Sequence, residues 1–491
     1  MRKAMERQGR LDSPSVLEVK LNPNCRDEII PILAALQHVY AQADLREQIL
    51  RAIAADVNRN STRTLGRWGM DYWPILVLAA VRLGCNLNYD KLQDLAEQHR
   101  ALRQVMGIGD WDDPAGFDWR RIRDNITLVR PETIERINHL IVAEGHRLVP
   151  QAVESMRADS FVVGTNIHYP TESSLIRDGL RKVLECGREL ADALGRGGFR
   201  QQKHLYRKVK RLVREIERVA ARKGGGYQQR IQSLYGELLD LARMLLARAD
   251  ELDQRLLSHG GGIDLKVLAS GAELKVFVER TRHVCDTATR RVLEGQTVPN
   301  REKLFSIFEP HTQLYKRGKA AEPVQFGRLV LLYEDGAGFI THCHLLPRDG
   351  DDRSVVVEQT RKLQKRLGGR IERASFDRGF HSPENQRDLA TIVAHPCLPM
   401  PGATQAVQQE QDATLEFRQA RQRHPGVESV INALQAGNGL QRCRDRTEVG
   451  FSRYIQLGVL GRNLHVLGKI LLAMENADCK AAQSRRKNIA A

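Results

Sequence analysis

The sequence predicts an α/β core preceded by an all-helical N-terminal domain and interrupted by a helical coiled-coil insertion. Three observations carry that expectation. Apolar residues recur at helical spacing over the first 150 positions. They recur at coiled-coil spacing between 205 and 245, and after about 301 they gather in short β-branched runs that alternate with helical ones. With 491 residues the chain has room for about three folding units. At 42% hydrophobic it can bury a substantial core, which excludes general disorder.

The first stretch, 1–150, opens helically with Ile29, Ile30, Ile32 and Leu33, and continues with a strongly apolar helix from Trp73 to Leu83. Asn86 to Tyr89 breaks the pattern and Lys91 resumes it. Asp113-Pro114 makes a turn, and Pro131 starts a further helix from its favoured first-turn position. Short helices in a basic protein form either a DNA-binding head or a packing domain.

A strand at Phe161-Val-Val opens the first part of the core, 151–177. The insertion, 178–300, follows. Leu205, Val209, Leu212, Ile216 and Val219 form one seam, and Ile231, Leu234, Leu238, Leu241 and Leu245 a second. Gly224-Gly225-Gly226 joins them, which reads as an antiparallel helical hairpin.

The remainder of the core, 301–475, begins with a hairpin: Val324 to Tyr333, a turn at Gly336 to Gly338, then Phe339 to Leu345. A helix over Val355 to Leu367, a strand from Ile371 ending at Asp377, a helix over Pro383 to Ala390 and a strand over Val393 to Leu398 follow. Gly450 to Met474 is a long apolar helix expected to pack on the sheet, and 476–491 is a basic tail.

Lys and Arg outnumber Asp and Glu by 76 to 60, a formal net charge of +16, which points to a polyanionic partner such as nucleic acid. The surplus is concentrated. From Arg196 to Lys223 there are eleven Lys or Arg against two Glu, and a solvated helix face usually mixes signs. Arg200, Lys203, Arg207, Lys208, Lys210, Arg211 and Arg214 are therefore candidate phosphate contacts, as are Arg442, Arg444 and Arg446 further on. The chain has no Walker A or GxGxxG context, and aromatics at 5% argue against a base-stacking single-strand binder.

The start carries no apolar h-region, the longest wholly apolar run is Trp73 to Val81, and the eight cysteines contain no CxxC pair. The expectation is a cytoplasmic protein that does not engage a membrane. Thr341-His-Cys-His344, with His395 and Cys397, invites a zinc centre. Strand alternation, however, turns His342 and His344 away from Cys343, so two exposed histidines and a core cysteine are expected instead.

Three carboxylates stand out by context: Asp159 beside the first strand, Asp377 at the end of a later one, and Glu428 on a helix beside the stripe Val427, Val430, Ile431 and Leu434. Strand ends of an open α/β sheet are the usual lining of a site, and converging carboxylates suit hard divalent cations. The segments around them run from Ala158-Asp-Ser-Phe-Val-Val-Gly-Thr-Asn-Ile-His-Tyr-Pro through Arg317-Gly-Lys with Pro323-Val-Gln-Phe-Gly to Phe376-Asp-Arg-Gly-Phe. His424-Pro-Gly-Val-Glu-Ser-Val-Ile and Gly439-Leu-Gln-Arg-Cys-Arg follow. In this order they resemble the DDE transposases of bacterial insertion sequences, the ISNCY-type and related groups, over about residues 60 to 475.

The resemblance implies an RNase H-like catalytic core, a mixed sheet flanked by helices. It implies that Asp159, Asp377 and Glu428 hold two Mg²⁺ or Mn²⁺ ions. It also implies hydrolysis of double-stranded DNA at terminal inverted repeats followed by 3′-hydroxyl transfer into target DNA. The expected form is a homodimer or higher oligomer on DNA, in the bacterial cytoplasm and with the nucleoid when bound. Some relatives carry a Tyr, Arg and Lys set around the Glu; those positions here are Arg421, His424 and Gln435, so that set does not carry over.

Overall fold

The computed structural model describes residues 12–23, 25–59, 69–109, 111, 117–195, 199–258, 264–316, 324–402 and 414–489. The Asp113-Pro114 turn and the Arg317-Gly-Lys motif lie outside them. The chain divides into two compact units, Met1–Asn166 with Arg328–Ala491, and Ile167–Gly327.

Along the chain, seven helices come first: α1 (Ile29–Ala41), α2 (Ala43–Val57), α3 (Tyr72–Gly84), α4 (Tyr89–Gln98), α5 (Arg100–Val105), α6 (Trp119–Thr127) and α7 (Pro131–Leu148). Side-chain caps start several of them: Asn88 accepts from the Lys91 N–H and Asp118 from that of Arg120. Strand β1 (Ser155–Gly164) leads to α8 (Glu172–Ala193), α9 (Gln202–Arg222), α10 (Tyr227–Leu257), α11 (Leu265–Ala288) and β2 (Gln313–Lys316). Then come β3 (Val324–Asp335), β4 (Ile340–Leu345), α12 (Asp352–Arg366), β5 (Arg373–Phe376), α13 (Pro383–Ala390) and β6 (His395–Cys397). The chain ends with α14 (Leu415–Arg423), α15 (Gly426–Asn432) and α16 (Glu448–Ile489).

In the first unit the strands lie in the order β4-β3-β1-β5-β6. β3 and β4 are antiparallel, as the Gly336 to Gly338 turn predicts, while β1–β5 and β5–β6 are parallel. The sheet is therefore mixed, with β1 at its centre and helices flanking it. β2 pairs antiparallel with Val324 to Gly327 at the start of β3, in the second unit.

Helix α3 is buried along its whole length, as a helix apolar all round must be. It packs on α16, as do α1 and α7. The N-terminal helices thus do not stand as a separate domain over 1–150. They share one hydrophobic core with α16, β1, β3 and β4, because their apolar faces exceed what they can cover among themselves. The last helix does reach the sheet: the fully buried Asn463 accepts from the Ile340 N–H at 2.8 Å and donates to its carbonyl at 3.1 Å. Elsewhere it lies against α1 and α3, so closely that a Cβ on Gly468 would stand 1.7 Å from the Pro31 carbonyl oxygen. Among the described residues α16 is the one helix long and apolar enough to cross a membrane, and 56% of its apolar window is buried inside the protein.

The second unit holds the predicted seams, but in a four-helix bundle rather than a lone hairpin. α9 and α10 pair through a turn in which Lys223 and Gly226 take positive φ, 44° and 68°. α10 buries Leu238, Leu239, Leu241, Ala242, Leu245 and Leu246, a stripe wider than one coiled-coil seam. Its surplus face needs cover, and α8 and α11 supply it, contributing Leu175, Leu180, Leu274 and Phe277 to the same core.

Candidate active site

The three carboxylates belong to the first unit, and its sheet brings two of them together. The β1–β5 register pairs Ala158 with Phe376, the last residue of β5, so Asp159, midway along β1, stands across from Asp377 just past the end of β5. From β1 the chain goes first to β3 on one side and later to β5 on the other, so β1 and β5 flank the point where strand order reverses. In open α/β sheets, ligands bind outside the carboxyl ends of the strands at such a point.

Each acid is held by its surroundings. Asp159 lies within β1 rather than before it, half-buried, and its Oδ1 accepts the Ser160 N–H at 2.6 Å. Ser160 in turn donates to Asp352 at the start of α12, at 2.6 Å. Asp377 is exposed, but the turn after it is fixed. Phe380 is buried edge-on to Phe376, Arg353 donates to the Gly379 carbonyl at 3.1 Å, and Asn385 donates to the Phe380 carbonyl at 2.8 Å.

Glu428 sits on the exposed side of α15, whose Val427 and Val430 share a core with Phe161 and Val163 of β1. α15 runs into a π-helical turn, Ala433–Gly437, a form of backbone often found at functional sites.

His424 links the acids. Burial lowers its pKa, while the charges of Asp377 and Glu428 both act to raise it, so one imidazole senses both carboxylates. Its Nδ1 lies 3.1 Å from the Ser375 hydroxyl on β5.

Arg157, two residues before Asp159, braces the turn that carries Glu428. It donates to the Arg423 carbonyl at 3.0 Å, and a Cβ on Gly426 would meet its guanidinium at 2.1 Å. Its other nitrogen pairs with the buried Glu334 of β3 at 2.6 Å. Arg157, Glu334 and His424 brace the elements that carry these acids, and sequence reasoning did not single them out as a site. The one trace in the sequence was His424, at a position the resemblance marks.

No family model, curated protein or solved structure matches the chain. Of the arginines after Glu428, Arg442 continues the edge of β1 through a bridge with Gly164 and is exposed, as is Arg446. Arg444 is engaged within the protein, donating to the Tyr454 hydroxyl at 2.9 Å and to the Asn86 side chain at 2.7 Å.

In the second unit Arg200, Lys203, Arg207, Lys208, Lys210, Arg211 and Arg214 are all exposed. Among the described residues none of them makes an ion pair. Cations on α8 and α10 do, as in Arg181–Glu185, Arg188–Asp192 and Arg243–Asp240. Arg207, Lys210, Arg211, Arg214 and Arg218 recur three and four apart and line one shallow groove on α9.

Burial pushes the Glu334 carboxyl up to about 7, against the pull of the Arg157 and Arg462 guanidiniums. The folded chain therefore holds a proton there that the unfolded chain releases at lower pH, and this group's contribution to stability falls as pH rises through 7. Between pH 5 and pH 8 the change in urea-unfolding stability should be less favourable in wild type than in Glu334→Gln by on the order of 3 kcal/mol. Equal changes in both chains would remove Glu334 as a contributor.

Proposed function

We propose that the chain is a DDE-type transposase acting on double-stranded DNA, with Asp159, Asp377 and Glu428 as metal-binding carboxylates of an RNase H-like core. The observation that carries this is the β1–β5 register, which sets Asp159 beside Asp377 at the switch point of a mixed sheet, while α15, with Glu428 on its exposed side, packs against β1. The donor set fits the ions the resemblance implies: three carboxylates offer only oxygen, the ligand Mg²⁺ and Mn²⁺ favour, and the two exposed ones leave room for water and phosphate. Bound there, two such ions would acidify a water and stabilise the leaving oxygen of an in-line displacement.

The protein's own part would be to bring the three acids to the ions and to bind the DNA. Attack of water on an element-end phosphodiester breaks the P–O3′ bond and leaves a 3′-hydroxyl. That hydroxyl then attacks a target phosphodiester, forming one P–O bond for each one broken, so no nucleotide fuel is needed. Because two element ends must be joined to one target, the working form is at least a dimer on DNA.

The α9 stripe supports a phosphate contact surface, since unpaired cations three and four apart on one face release counterions when they meet a duplex. Replacing Arg207, Arg211 and Arg214 by Gln together should reduce the slope of log K against log salt by about 3 and weaken all DNA sequences alike. An unchanged slope would move the duplex off this helix.

The deciding assay is cleavage and joining of the gene's flanking DNA with Mg²⁺ or Mn²⁺. Cuts at defined ends with new junctions are expected. Cuts without junctions would make the chain a nuclease. Binding that leaves the DNA intact with either metal would make it an architectural DNA-binding protein.

A further inference from the structure

We propose a second metal centre, for Zn²⁺ or a cation of similar preference, formed by Glu135 and His139 of α7 and His342 of β4. It is independent of the DNA chemistry. The three residues each offer a ligand atom, and these atoms all lie within 4.8 Å of one another. Glu135 and His139 are one helical turn apart and share a face of α7, which packs against β4.

His342 is prepared as a ligand. Contrary to the exposed position expected from strand alternation, it is 8% exposed, because α12 covers its face of β4, and its Nε2 lies 3.0 Å from the Gln359 side-chain oxygen. An amide oxygen only accepts, so Nε2 carries the proton and Nδ1 keeps a bare lone pair. That Nδ1 is buried and has no hydrogen-bond partner. A metal-bound imidazole is held in this way, with its second nitrogen donating to a fixed oxygen.

Two imidazole nitrogens and one carboxylate leave a fourth tetrahedral position for water. The side chains of His139 and Glu135 are 31% and 38% exposed, so an ion can enter from solvent.

One group competes for the site. The Arg366 guanidinium hydrogen-bonds the His139 Nε2 and the Thr341 carbonyl. It must release the imidazole before a cation binds there, and its charge opposes the cation. A filled site would tie α7 to the edge strand β4. It would not use the other zinc candidates in the sequence, because Cys397 and His395 lie on β6, at the far end of the strand order from β4.

The test uses the full-length chain carrying Asp377→Asn, stripped with a chelator and titrated with Co²⁺. The expected result is stoichiometric binding with the intense visible absorption of tetrahedral cobalt, displaced by Zn²⁺. His139→Gln should bind about ten-fold or more weakly and Arg366→Gln more tightly, and both positions are open enough to solvent for the fold to survive. His342→Gln should match His139→Gln, with circular dichroism to establish that it folds. Absence of the tetrahedral spectrum, or affinities that neither His139→Gln nor Arg366→Gln changes, would overturn the proposal.

Discussion

A chain carrying Asp377→Asn should bind element-end DNA as wild type does, melt at the same temperature, and cut the DNA slower by at least about 10²–10³-fold. The expectation of unchanged folding comes from the surroundings of Asp377. It is exposed, and the turn after it is held by Arg353 and Asn385 through backbone carbonyls rather than through the carboxylate. Exchange of such a side chain for its isostere usually shifts stability by less than about 0.5 kcal/mol. What the exchange removes is a negative oxygen beside Asp159, and with it one ligand of the proposed cations.

Glu428→Gln should behave likewise, since Val427 and Val430 anchor α15 without it. Asp159→Asn is a poorer probe, because its carboxylate also accepts the Ser160 N–H, so folding and chemistry change together. Cleavage assays with thermal melts on the same preparations check the pair. Undiminished cutting by a normally folded Asp377→Asn chain would take the catalytic role away from these acids.

The features legible in the sequence are those encoded locally. The β3–β4 hairpin is written in a β-branched run, a glycine turn and a second run, and the strand ending at Asp377 and the helix under Glu428 are equally local. The basic stripe on α9 is also local, because an unbalanced charge run needs no partner to be seen.

β1 was harder. The sequence marks only Phe161 to Val163, whereas the strand begins at Ser155, with Met156 and Ala158 buried between the less buried Arg157 and Asp159. A strand carrying Arg and Asp is accommodated there because the Arg157 guanidinium donates to Glu334, far along the chain, and no local pattern announces that contact. The bundle around α9 and α10 was missed for a related reason. A seam shows that two helices pair, but not that the width of the α10 stripe requires two more. His342 was visible as a possible ligand, but its companions on α7 were not, since they meet it only through the packing of α7 on β4.

The same long-range packing gives the second large expected effect, at Asp445. Arg82 of α3 is 1% exposed, and its two terminal nitrogens reach both oxygens of Asp445, at 3.0 and 2.5 Å. Its guanidinium also lies over the Tyr89 ring at 3.9 Å and near that of Tyr454 at 5.4 Å. Removing Asp445 leaves a buried cation without its counter-ion, and such losses cost about 3–5 kcal/mol. Against a total stability of about 5–15 kcal/mol, Asp445→Ala should lower the urea midpoint sharply.

The effect should extend to the chain around Asp445. The preceding residues continue β1, with the Gly164 N–H donating to the Gln441 carbonyl and the Cys443 N–H to the Gly164 carbonyl, so Arg442 and Arg446 lose a fixed position when the pair is broken. The control is the double variant Arg82→Leu with Asp445→Leu. Removing both charges avoids the uncompensated cation, so it should recover part of the lost stability, as replacement of buried ion pairs by apolar residues often does. A single variant costing less than about 1 kcal/mol, the range of a surface pair, would show that Arg82 finds water or another acceptor, and that this contact does not hold the segment in place.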